Sequence, residues 1–113
     1  MNFFLKLLLS TIAVMVASYI LPGVHVSSFF TALVLALVLS ILNVIVKPIL
    51  IVLTIPLTIV TLGIFLLVIN ALIILIADAL MGGTFAVDGF WWALLFSIVL
   101  SITNSLLSEL SNS

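Results

Sequence analysis

Four stretches of this chain are nearly free of charge and close to the length that crosses a lipid bilayer: Phe3 to Leu21, Phe29 to Val46, Ile64 to Leu80 and Phe90 to Leu107. A spanning helix needs about 20 predominantly apolar residues. Only 4% of the residues are charged, where soluble domains carry about 25%. No water-facing surface can be assembled from that inventory, so the outside of the fold must face lipid. Lys6 ahead of an apolar run that ends in small residues also fits a secretory signal. The length of the run and the repeat described next favour a retained helix.

Sliding the chain against itself by 61 residues lays VSSFFTALVLALVLSILN, Val26 to Asn43, over VDGFWWALLFSIVLSITN, Val87 to Asn104, with nine of eighteen positions identical. The same register places Phe4-Leu5 over Phe65-Leu66. The first apolar helix therefore corresponds to the third and the second to the fourth. Each unit reads as helix, short polar loop, helix. The loops, LPGVHVSS and MGGTFAVDG, carry the Gly and Pro that break helices. Tyr19, Phe29, Phe30, Phe85, Phe90, Trp91 and Trp92 crowd around them, as side chains at a lipid–water boundary do.

Between the units, residues 47–63 hold one of the two lysines and two of the three prolines. From Pro48 to Leu62 an ideal helix would be about 22 Å long, short of the roughly 30 Å hydrocarbon core. Drawing Lys47 inward to lengthen it costs about 2.5 kcal/mol or more at the bilayer centre. Pro48 favours a helix start just after Lys47, and Pro56 removes a hydrogen bond in mid-segment. Thr54, Thr58 and Thr61 offer hydroxyls to the carbonyls so freed, and Gly63 resets the chain direction. The expected architecture is an all-α integral membrane protein. Two tandem helical hairpins, 1–46 and 64–107, form four transmembrane helices joined by a Pro-bent re-entrant or interfacial connector, 47–63, and followed by a polar tail, 108–113. A connector that crosses would instead give five spans and inverted hairpins. In both arrangements Lys6 and Lys47 share a face; with four spans the lysine bias makes that face cytoplasmic, together with both termini.

Small residues recur every fourth position at Ala32, Ala36 and Ser40, and again at their repeat partners Ala93, Ser97 and Ser101. Such ribbons let helices approach closely in lipid, either as a seam between copies or as intrachain packing of the second helix on the fourth. Asn43 and Lys47 stand one turn apart, and Asn104 repeats Asn43. They read as a polar path or as an interfacial cap with Lys47 reaching the headgroups. Asn70 lies deeper and is the better candidate for an interhelical hydrogen bond. Asp78 is the one carboxylate near a span's interior; an Asp78–His25 pair is conceivable, and interfacial solvation of both is preferred. Asp88 and its repeat partner Ser27 are helix-capping types.

Net charge is −1 without a basic run, which removes the electrostatic footprint of nucleic-acid binding. With no cysteine, one His and three carboxylates, no metal site or cofactor is expected. No nucleophile–base arrangement or phosphate-cradling loop is present, and catalysis is not expected. A continuous polar stripe would mark a channel. The deep polar residues, Asn70, Ser10, Ser40, Ser97 and Ser101, read as too sparse for one.

Asn43, Lys47-Pro48, Thr54 with Pro56, Thr61-Leu62-Gly63 with Phe65, Asn70-Ala71 and Asp88-Gly89-Phe90 together resemble phage holin family 4, the mycobacterial four-span phage holin superfamily IV. The resemblance covers nearly the whole chain. It implies a small bacterial inner-membrane protein of about four spans, holin-like, whose partners are the bilayer and either further copies or a larger membrane complex. Three roles stand open: a structural or accessory protein, a holin that forms lesions by oligomerising, and a small repeat-built transporter.

Overall fold

The computed structural model describes residues 2–112. Its long helices are α1 (Phe3–Ile20), α2 (Phe29–Leu53), α4 (Phe65–Leu80) and α5 (Phe90–Asn112), with a short α3 (Ile55–Val60) between α2 and α4. α1, α2 and the stretch Phe90–Leu110 are each long and apolar enough to cross a membrane; α4 is a shorter apolar helix. Each long helix packs on two neighbours: α1 on α2 and α5, and α4 on α2 and α5. The four make a ring in which α1 faces α4, and α2 faces α5, across the diagonals.

Two strands qualify the all-α expectation. β1 (Val24–Val26) and β2 (Phe85–Val87) lie in the two Gly-containing loops and pair antiparallel, with His25 opposite Ala86. Ser27 N donates to Thr84 O at 3.0 Å and Asp88 N to Gly23 O at 2.9 Å, which extends the ladder at both ends. The two loops therefore sit at one end of the bundle, and the start of α1, the end of α5 and α3 at the other. Alternation along the strands sends Val24, Phe85 and Val87 inward and leaves His25 outside. Phe85 is wholly buried and meets Phe96 of α5, ring centroids 5.5 Å apart, closing the strand end of the core. Around them Ala32, Leu35, Ala77 and Ala93 complete a dry half of the bundle.

The connector departs from the expected layout at both prolines. α2 does not stop at Lys47 but runs through Pro48 to Leu53. A proline inside a helix removes its own N–H and crowds the carbonyl four residues back, and a membrane helix held by its neighbours tolerates both. Pro56 does not interrupt a helix either. It stands in the first turn of α3, where backbone N–H groups lack intrahelical partners in any case. The threonines act as back-bonders rather than as partners for the carbonyls the prolines free, those of Val44 and Val52. Thr54, Thr58 and Thr61 donate to Leu50, Thr54 and Leu57 carbonyls at 2.7, 3.0 and 2.9 Å. α3 ends in a Schellman motif, with Leu62 N on Ile59 O and Gly63 N on Thr58 O. Leu62 takes the left-handed position (φ 57°) usual for glycine, and Gly63 follows at φ 89°. The bend is thus made by two residues, where Gly63 alone was expected.

Gly23 lies directly under the Trp92 ring, so that a Cβ added there would run into the indole. Gly23→Ala should therefore push Trp92 out of place and destabilise the bundle by about 1–3 kcal/mol, as overpacking does. Thermal unfolding in detergent followed by tryptophan fluorescence should show a lower Tm and a changed emission maximum.

Candidate functional site

Below the dry half, toward the connector, the four long helices enclose a partly open cavity of about 130 Å³. Its floor is apolar: Val14, Ala36, Leu39, Ile73, Ile74 and Leu100. Its remaining lining is polar and comes from every long helix: Ser10 of α1, Ser40, Asn43 and Lys47 of α2, Asn70 of α4, and Ser97, Ser101 and Asn104 of α5. The polar residues that read as sparse along the sequence are thus gathered around one space. They do not form a continuous path, because Leu35, Phe85 and Phe96 are fully buried on the strand side.

Local chemistry decides which of these groups face the cavity with hydrogen-bonding capacity left over. Ser40 Oγ donates to Ala36 O at 2.9 Å and Ser97 Oγ to Leu94 O at 2.8 Å, so their hydroxyl hydrogens are engaged along their own helices. Among the described residues, the side chains of Ser10, Asn43, Asn70, Ser101 and Asn104 have no hydrogen-bond partner within the chain, and Lys47 has no carboxylate at ion-pair distance. None of these polar atoms is sealed in packing, since no buried side-chain N or O is left unpaired among the described residues. Their solvation comes from the cavity and its mouth. The lining side chains of the described residues include one cation and no acid.

The small-residue ribbons point into the same interior. Ala32, Ala36, Ala93 and Ser97 are between 0 and 6% exposed within the single chain, Ser40 is half-buried and Ser101 exposed. They do not pack the second long helix on the fourth. Those two lie across a diagonal, and the ribbons let α2 and α5 close against α1 and α4 instead.

Three polar residues at the strand end are placed differently from the sequence expectation. His25 Nε2 meets both carboxylate oxygens of Asp88, at 3.0 and 3.1 Å, so His25 pairs with Asp88 rather than with Asp78 while staying more than half exposed. The antiparallel register is the cause, since it carries the end of β2 past His25. Asp78 instead accepts the Val87 N–H at 3.0 Å, fastening β2 to the last turn of α4. The cap of α2 is Ser28, which accepts from Thr31 N; Ser27, one residue too early for that role, contacts the Thr31 hydroxyl. The His25–Asp88 pair escaped the sequence reading because its partners are 63 residues apart. Only recognition of V-H-V and F-A-V as short strands could have found it.

Residues 1–106 match the family described as Mycobacterial 4 TMS phage holin, superfamily IV. The chain belongs to this family. Within reach of this phage holin superfamily IV member are two curated relatives. It is 39% identical over 104 residues to the uncharacterized membrane protein YvlD of Bacillus subtilis, covering 92% of this chain and 87% of that one. It is 40% identical over 113 aligned residues to the uncharacterized protein SCO3922 of Streptomyces coelicolor, covering 91% and 90% respectively. No solved structure matches it. Like the family description, the fold is that of a holin-like membrane protein with several apolar helices.

The two acids of the strand end should differ in weight. Asp78→Ala removes a charged acceptor from a half-buried backbone N–H and should cost about 1.5–3 kcal/mol. Asp88→Asn breaks a pair whose members are both more than half exposed and should cost less than about 1 kcal/mol. Unfolding of both variants in one detergent, compared with the parent, checks the order.

Proposed function

We propose that this protein is a non-catalytic, four-span structural or accessory protein of the bacterial inner membrane, working as an intact bundle rather than as a lesion-forming assembly. One observation carries the reading. The small residues that bring membrane helices into close contact are buried inside the single chain, with Ala32, Ala36 and Ala93 at most 2% exposed. The faces left outside are studded with large aliphatics such as Leu37, Ile41, Ile49, Leu95, Ile98 and Ile102. Such side chains meet lipid tails as readily as another copy of themselves. Any association with further copies or with a larger membrane complex would use these outer faces.

The reading includes a re-entrant or interfacial connector and tandem hairpins. Support for the first is chemical: α3 buries no residue, exposes Ile55, Leu57, Ile59 and Val60, and keeps its threonine hydroxyls bonded to its own backbone. Such a surface is apolar enough to rest in the membrane. Support for the second comes from the strand pair. Residues at the centre of the ladder, His25 and Ala86, are 61 apart, which is the repeat offset. Two copies related by an axis along the membrane normal would pair in that way. On this orientation Lys6, Lys47 and the termini are cytoplasmic, while His25 and Asp88 face outward.

A repeat-built transporter is the second reading, favoured by the polar lining that all four long helices contribute to one cavity. The holin reading requires copies to assemble into a lesion, and it makes the contrasting prediction. On the accessory reading, graded expression in a bacterial host should lower the membrane-potential dye signal only at high levels and without a trigger time. Abrupt, timed depolarisation at low copy number would overturn the accessory reading in favour of a holin. For the orientation, single cysteines at Ser27 and Thr84 should both be labelled by an impermeant maleimide from outside intact cells, and one at Ser105 should not. Labelling of Ser27 and Thr84 from opposite sides would remove the tandem arrangement.

A further inference from the structure

The polar half of the cavity carries an inference that goes beyond the accessory reading and does not depend on it. Lys47 is half-buried on α2, six residues before that helix ends. A lysine placed only to reach headgroups needs no companions. This one shares its cavity with three amides, Asn43, Asn70 and Asn104, from three different helices, none of them hydrogen-bonded within the chain among the described residues. Polar groups turned into a membrane bundle without protein partners mark a place where something else supplies the partner.

The donor balance narrows what that partner is. Lys47 brings three N–H donors and no acceptor, and each amide brings two donors and one acceptor. With no acid in the described lining, the site carries net positive charge and an excess of donors. A cation is therefore disfavoured, and a neutral apolar molecule would leave every donor unmet. A space of about 130 Å³ exceeds what one water or a monatomic ion fills and admits a polyatomic oxyanion. Lipid phosphates lie just outside the hydrocarbon core at either end of a spanning bundle, and the cavity opens in the half that holds Lys47 and Asn104.

We propose that this cavity binds a phosphate group, carried as the headgroup of an anionic phospholipid or as free inorganic phosphate, with Lys47 as its counter-charge and the amides of Asn43, Asn70 and Asn104 as donors. Eight of the cavity positions form four pairs at the 61-residue offset: Ala36 and Ser97, Leu39 and Leu100, Ser40 and Ser101, Asn43 and Asn104. Lys47 breaks that symmetry, because the corresponding position is Ser108. The single charge therefore orients the bound group toward α2.

The test uses the full chain reconstituted in nanodiscs. One arm has discs of phosphatidylcholine titrated with inorganic phosphate. The other has discs containing phosphatidylglycerol in phosphate-free buffer. Tryptophan-detected thermal shift reads the first arm, and native mass spectrometry of retained lipid reads the second. Saturable binding in either arm identifies the source of the phosphate. Lys47→Gln and Asn104→Asp should each weaken that binding by at least about tenfold, the equivalent of one lost charge-assisted hydrogen bond. Lys6→Gln, on the exposed first turn of α1, should leave it unchanged. Asn104→Asp preserves shape while adding a negative charge that offsets Lys47, so it carries the test should Lys47→Gln fold poorly. No saturable binding by the parent protein in either arm would overturn the proposal. Equal losses for Lys47→Gln and Lys6→Gln would also overturn it, reducing the effect to general surface charge.

Discussion

Inside a bilayer, a backbone N–H or C=O without a protein partner has no water to turn to, and each such group costs several kcal/mol. The fold answers that demand at every level. Helices satisfy the spans internally. The two loops, which could each have been left to solvent, pair with one another instead and share a ladder that begins at Gly23 and ends at Thr84. In the bend between α2 and α4, where helix geometry fails twice, threonine hydroxyls turn back onto carbonyls one turn earlier. Side chains then fill in what the backbone leaves. Asp78 takes the Val87 N–H, and Asn2 caps α1 by accepting from Leu5 N at 2.7 Å.

Against that background the interior divides in two. The strand half is packed with alanine and aromatic side chains and is dry. The connector half is lined by serine, asparagine and one lysine, and is open. Both halves are built by the same helices, and the change falls within two turns: Ala32 and Ala36 give way to Ser40 and Asn43 on α2, as Ala93 gives way to Ser97, Ser101 and Asn104 on α5. Small residues allow the helices to come together, and polar ones keep them from collapsing fully onto each other. A site of this kind needs both.

Much of this was legible in the chain itself. The four apolar spans match α1, α2, α4 and α5 except where α2 continues past Lys47 and where α5 runs on through the expected polar tail to Asn112. Long apolar runs admit one secondary structure in lipid, so their reading is secure. Proline was the weaker guide. Its local preference for breaking a helix was overridden at Pro48 by the flanking helix, and at Pro56 it marked a start. The cavity was hidden for a different reason. Ser10, Asn70 and Asn104 sit on three helices, and nothing in a linear sequence says that their faces converge. The family resemblance was carried by residues at spacings that composition does not produce, and residues 1–106 bear it out.

The strand pair has a consequence for the order of biosynthesis. Val24–Val26 leaves the ribosome 61 residues ahead of Phe85–Val87, a lag on the order of several seconds at ordinary translation speeds. Throughout that interval β1 has no partner strand, and neither Phe85 nor Phe96, which close the strand end of the core, has yet been made. The clasp that ties the two loops together is therefore among the last parts of the fold that can form, whatever order the helices take.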